Sequence, residues 1–108
     1  MEPLMSSATH YLADVLKSLA QPTRLKIIDF LQGGERCVCE IFPAIDEEQS
    51  NTSRHLAYMQ THGILSRRKD GVKIYYAVKH PEAFEIIDLA TAVVRREIEV
   101  RSDLMNRN

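Results

Sequence analysis

Hydrophobic positions recur along this chain in two rhythms, and the change between them divides it into elements. Ala8, Leu12, Val15, Leu16 and Leu19 return at intervals of three and four, one apolar stripe of a helix. Ser6 or Ser7 is placed to cap its start. Pro22 ends it, because the residue before a proline avoids helical geometry, and proline also suits the first position of the next helix. Leu25, Ile28 and Leu31 form that helix's inward stripe, widened by Ile27 and Phe30, and Gly33-Gly34 stops it. Val38, Ile41 and Ile45 make the buried side of a third helix, which Pro43 keeps short or kinked. A fourth helix over residues 50–62 follows a turn near residues 46–48. It buries Thr52, Leu56 and Met59 and is closed by Gly63. The period then becomes two. Val72, Ile74, Tyr76 and Val78 alternate with Lys73, Tyr75 and Ala77, the pattern of a half-buried strand. Asp70-Gly71 is a two-residue hairpin turn, which makes residues 65–69 the partner strand. Pro81 restarts helix, with Phe84, Ile87, Thr91, Val94 and Ile98 in one apolar line and Ile86, Ala90 and Val93 in a second. Residues 102–108 are polar and expected to fray.

The expected fold is therefore mainly α with a β-hairpin: a winged helix-turn-helix of about five helices, in one domain over residues 1–108. The last helix has a wider apolar face than one small domain can cover. Its economical partner is a second subunit, with Leu12, Leu16, Phe84, Ile87, Thr91, Val94 and Ile98 in a homodimer interface.

Charge sharpens this picture. The formal net charge is −1, which argues against nucleic acid until its distribution is read. Between residues 49 and 80 stand Arg54, Arg67, Arg68, Lys69, Lys73 and Lys79 against Asp70 alone. A focused basic segment in an acidic chain is the footprint of phosphate binding. The fourth helix opens with Gln49, Ser50, Asn51, Ser53, Arg54 and His55, side chains that hydrogen-bond base edges and phosphates. Arg67, Arg68, Lys69 and Lys73 give the hairpin a basic tip for the same duplex. No apolar run reaches the length of a bilayer span, and no secretory signal opens the chain. Two cysteines spaced C-x-C then argue against a disulfide framework and for a reducing cytoplasm.

Several stretches resemble the ArsR/SmtB repressors, closest to their arsenic-responsive branch. They are L-K-S-L-A-Q-P-T-R-L-K-I-I at residues 16–28, E-R-C-V-C-E-I at 35–41, Q-S-N-T-S-R-H-L at 49–56 and H-G-I-L-S-R-R-K-D-G-V-K-I-Y-Y at 62–76. The resemblance covers nearly the whole chain. It implies a homodimeric repressor, not an enzyme, that binds inverted-repeat operator DNA when ligand-free and leaves when a thiophilic ion binds. The ion would be trivalent arsenic or antimony, with Cd and Zn as further candidates, and Cys37 and Cys39 would hold it. Three positions depart from the family pattern. Gln21 stands where Asp is usual, which predicts a weaker cap before Pro22. Glu47 and Glu48 put negative charge beside the DNA face. Phe42 stands where some arsenic repressors carry a third cysteine.

The cysteine spacing has its own consequence. Residues i and i+2 of a regular helix point roughly 200° apart, whereas in an extended segment they share a side. Chelation by both therefore requires that Cys37 precede the third helix or that its first turn unwind. A helix N-terminus favours the thiolate, and soft thiolates select soft ions. Two sulfurs leave three-coordinate arsenic incomplete, so a small thiol, water or another side chain must complete it. The terminal-helix zinc site of some relatives is excluded, because Asp88 is followed by Leu89 and Ala90 and no histidine lies beyond His80. Other classes are a C-x-C redox enzyme, disfavoured without a C-x-x-C or βαβ pattern, and an interaction module that kept the fold. Within the repressor class, the alternative is a sensor of thiol oxidation at Cys37 and Cys39.

Overall fold

The computed structural model describes residues 6–106. Helix α1 (Ser6–Leu19) leads into α2 (Pro22–Phe30), which tightens into a 3-10 turn at Leu31–Gly33. Strand β1 (Arg36–Cys37) precedes α3 (Val38–Ala44) and α4 (Gln49–Thr61). Strands β2 (Leu65–Asp70) and β3 (Lys73–Val78) form the hairpin, and α5 (Glu82–Met105) closes the fold. The helix-turn-helix and wing read from the periodicity are present. The N-terminal residues before Ser6, the Ser6 side chain and the last two residues lie outside the description.

The core gathers Ile27, Ile28 and Leu31 from α2 and its turn, Ile41 from α3, Leu56 and Met59 from α4, and Leu65 and Tyr76 from the hairpin. Each comes from the apolar side of its own element. Leu19 of α1 joins them, so four helices and a sheet share one interior, and the polar side of α4 is left outward.

Several expectations need correction. Leu25 is 40% exposed and faces α5, while Thr23, Ile27 and Ile28 are the buried side of α2. Gln21 does cap α2: its Oε1 accepts from the Arg24 N–H at 3.0 Å, the longer amide reaching the same donor as a shorter carboxylate. The hairpin turn is one residue later than read. Asp70 pairs with Lys73, so Gly71 and Val72 form the loop, with Gly71 at φ 63°. Val72 is thus at the tip and 97% exposed, outside the buried alternation. Residues 102–105 continue α5 as helix instead of fraying. Strand β1 was not foreseen; two residues carry no period. It pairs antiparallel with β3, Arg36 opposite Tyr76 and Cys37 opposite Tyr75, in the order β1-β3-β2.

Pro43 sits inside the seven-residue α3, which ends one residue later. The exit is a Schellman turn: Glu47 N–H donates to Phe42 O and Asp46 N–H to Pro43 O, with Asp46 at φ 55° in the role usual for glycine. This tight exit delivers Glu47 and Glu48 to the head of α4.

Candidate nucleic-acid interface and thiol site

Helix α4 buries Thr52, Leu56 and Met59 and turns Gln49, Ser50 and Arg54 outward, with Asn51 and Ser53 half-buried beside them. His55 does not join this face. It is 6% exposed, and its Nδ1 accepts from Arg24 Nε at 3.1 Å. A residue three past Thr52 and one before Leu56 falls on the inner side of the helix, so His55 fastens α4 to α2 and is not a base-reading side chain. Burial, then the neighbouring charges of Arg24 and Arg54, hold the imidazole below its ordinary pKa, against a smaller pull from Glu47. Arg24 also donates to Lys17 O at 3.0 Å and lies 3.8 Å above the Tyr58 ring.

The hairpin's cations divide by strand alternation. Arg67 is opposite Tyr76 and Lys69 opposite Ile74, on one face; Arg68 is opposite Tyr75 and Lys73 opposite Asp70, on the other. All four are exposed, but Arg68 is already engaged. Its guanidinium grips Glu35 through Nη2 at 2.7 Å and Nε at 3.1 Å and sits 4.5 Å from the Tyr75 ring. The paired hydrogen bond raises the Arg68 pKa and lowers that of Glu35. Because Glu35 adjoins β1, Arg68 clamps the wing to the strand that carries Cys37.

Glu47 brings its negative charge to the head of α4 and finds partners there: its Oε2 is 3.1 Å from Lys26 Nζ and its Oε1 accepts from Asn51 Nδ2 at 3.0 Å. Lys26 is the main reason its carboxyl is held below the usual range. No periodicity links Lys26 to Glu47; the fold brings them together.

Cys37 precedes α3, one of the two conditions for chelation by both sulfurs. It is extended (φ −69°, ψ 145°), 4% exposed, and is the helix N-cap. Its Sγ accepts from Cys39 N–H at 3.2 Å, and Glu40 Oε1 accepts from Cys37 N–H at 3.2 Å, a capping box built on a cysteine. Cys39 is exposed, and the two sulfurs are joined as a disulfide. The pair opens on a cleft of about 250 Å³ shared with Gln49 and Ser53 of α4 and with Val72, Lys73 and Ile74 of the wing. Among the described residues, no group of three or more His, Cys, Asp or Glu is gathered for a metal ion.

On the far side, α5 buries only Ala83 among its 24 residues. Phe84 and Ile87 pack on the chain's own core, so the first turns of the expected seam are used within the subunit. Thr91 gives its hydroxyl to Ile87 O at 2.7 Å. Leu12 and Leu16 are each 45% exposed, Val94 is 55% and Ile98 is 60%. An apolar groove of about 400 Å³ runs between α1, α2 and α5. No helix among the described residues is long and apolar enough to cross a membrane.

An outward polar helix in a helix-turn-helix, flanked by a basic hairpin, is the architecture of a DNA-binding transcriptional regulator of the winged helix-turn-helix class. Residues 21–67 match the model of the bacterial regulatory protein, arsR family. The chain is 37% identical over 89 residues to the arsenical resistance operon repressor of Escherichia coli, covering 79% of this chain and 76% of that one. It is 40% identical over 70 residues to the arsenic resistance transcriptional regulator ArsR2 of Pseudomonas putida, covering 64% of this chain and 60% of that protein's length. The homodimeric winged helix-turn-helix domain Mb0332 of Mycobacterium bovis superposes with TM-score 0.76 at 26% identity, over 92% of this chain and 94% of that one. The chain belongs to the arsR family of transcriptional regulators.

Proposed function

We propose that the chain is a cytoplasmic, homodimeric repressor that releases an inverted-repeat operator when trivalent arsenic or antimony binds Cys37 and Cys39. The observation that carries this reading is the meeting of the two sulfurs at the head of α3, in a cleft whose other walls are the reading helix and the wing. The arsenical relatives support the choice of ion. The residues fit once two small thiols reduce the Cys37–Cys39 disulfide, themselves becoming a disulfide. The two freed thiolates are soft donors facing one space, and a further small thiol or water would complete a three-coordinate ion. Cd and Zn compete for the same sulfurs. When bound, the ion supplies strong sulfur bonds and no redox chemistry. Drawing both sulfurs onto one ion would re-aim Cys37 Sγ relative to the Cys39 N–H it caps, which would weaken the cap of α3 and shift the turn carrying Glu47 and α4. Coupling of this kind amounts to about 1–3 kcal/mol between ligand and DNA. Residues 1–108 act as one domain. The exposed faces of α1 and α5 meet their copies about a two-fold axis and set the two α4 helices about 34 Å apart, one DNA turn. Gln49, Ser50, Asn51, Ser53 and Arg54 read the groove, and Arg67, Lys69 and Lys73 hold phosphates.

The joined sulfurs also favour a second reading, a sensor of oxidants. There peroxide takes two electrons and two protons from the thiols, giving the Cys37–Cys39 disulfide and two waters. One gel-shift series on the protein's own promoter separates them, titrated with arsenite, antimonite, Cd, Zn and peroxide. Cys37→Ser and Cys39→Ser should keep operator affinity, since serine also caps helices, and lose release by arsenite. Release of both variants by arsenite would place the inducer site elsewhere. Release by peroxide alone would favour the oxidant sensor.

A further inference from the structure

We propose that Glu47 is a positioning residue that fixes the hydrogen-bonding sense of Asn51, and thereby the operator base pair that α4 prefers. The proposal rests on α4 reading DNA. Four polar groups form one chain from the second helix to the reading face. Lys26 Nζ lies 3.1 Å from Glu47 Oε2. Glu47 Oε1 accepts from Asn51 Nδ2 at 3.0 Å, and Asn51 Oδ1 accepts from Arg54 Nη2 at 2.6 Å. The order of donors and acceptors is forced. A carboxylate only accepts, so Asn51 must turn its NH₂ toward Glu47. Its oxygen then points along the helix, where only a donor can meet it, and Arg54 is one turn away. Lys26 belongs to α2, whose neighbours Ile27 and Ile28 are buried, so the anchor of the chain is fixed to the core.

Asn51 keeps one N–H and one oxygen lone pair unfilled, the donor and acceptor that asparagine presents to adenine in the major groove. Turning the amide over would exchange them and change the preferred base. Glu47 at the amide's NH₂ and Arg54 at its oxygen together oppose that turn. The charge of Glu47 also opposes every phosphate near α4, whatever the sequence. Its effects on general affinity and on sequence preference therefore have opposite signs, which a residue serving only the fold would not show.

The test is Glu47→Gln, measured by fluorescence anisotropy on operator and scrambled duplexes. Glutamine keeps the length and loses the charge, and with its oxygen turned to Lys26 it faces Asn51 with its NH₂. Arg54 alone then still holds the amide this way, and now against a competing donor. Scrambled duplex should bind more tightly. The operator-to-scrambled ratio should fall roughly five- to tenfold, the lower part of what one base contact contributes. Selection from a duplex pool randomised across the operator should relax at one position in each half-site. In an Asn51→Ala background, Glu47→Gln should leave the ratio unchanged, because the two residues act as a unit. Glu47→Gln with the wild-type ratio, or an additive loss in the double variant, overturns the proposal alone. Wild-type protein without any operator preference overturns the DNA-reading assignment, and this proposal with it.

Discussion

Arg24 reaches from the second helix to donate its Nε proton to Nδ1 of His55, 31 residues later, at 3.1 Å. The bond holds only while that nitrogen carries no proton. Burial and the charges of Arg24 and Arg54 keep His55 neutral when folded, with its pKa below the unfolded value. The contribution to stability is complete above the ordinary histidine range of about 6.5 and is lost as pH falls from there toward the folded pKa. Thermal melts between pH 7.5 and 5 should show the wild type losing stability more steeply than His55→Gln, whose amide oxygen can still accept from Arg24. Parallel curves would mean that His55 does not titrate in this window.

The wing cations should not be equivalent. Lys69 is exposed, whereas Arg68 is gripped by Glu35 and must give up that pair to reach a phosphate. Lys69→Ala should weaken binding to all duplexes and reduce the salt slope by about 0.9. Arg68→Ala should change the slope less and instead loosen the wing against β1, seen as faster amide exchange at Tyr75 and Tyr76. Equal slope changes in the two variants would show that the Glu35 pair opens freely on DNA.

Val94 is 55% exposed in the middle of α5 and lines the apolar groove with Leu16 and Leu25. A glutamate there would place a charge in the face proposed to cover a second subunit. Val94→Glu should sediment as a monomer at micromolar concentration, keep its helical circular dichroism, and lose operator binding. A wild-type chain that is already monomeric there contradicts the dimer.

Thr52 is fully buried, and its hydroxyl has no hydrogen-bond partner among the described residues. Valine has the same shape without the polar atom. Thr52→Val should raise stability by about 1 kcal/mol, read from the urea midpoint at unchanged slope. A lower midpoint would show that the hydroxyl is satisfied in solution.

Phe42 stands one turn beyond Cys39 on α3 and is half-buried. Phe42→Cys should add a third thiolate on the side of Cys39 and tighten arsenite binding. The check is the sulfur-to-arsenic absorbance at lower arsenite concentration. Unchanged affinity would mean that α3 does not turn position 42 toward the sulfurs.

Periodicity was enough for the helices, the hairpin and the outward residues at the head of α4, because each depends on neighbours a few positions away. A stripe at three and four positions marks a helix and an alternating run with a glycine turn marks a hairpin, although the exact turn, one residue later than read, was left to the packed structure. For Cys37 the spacing left two alternatives, a place ahead of the third helix or an unwound first turn, and only the structure chose the first. The tertiary structure decided what depends on distant pairings. Strand β1 is two residues long and exists because β3 offers it an edge. His55 turned inward because Arg24 waits there, Arg68 was taken by Glu35, and Glu47 was held between Lys26 of α2 and Asn51 of α4. The partners in these pairs stand 31, 33 and 21 residues apart. No local pattern encodes such contacts, since each forms only after hydrophobic burial has brought the elements that carry the two residues together.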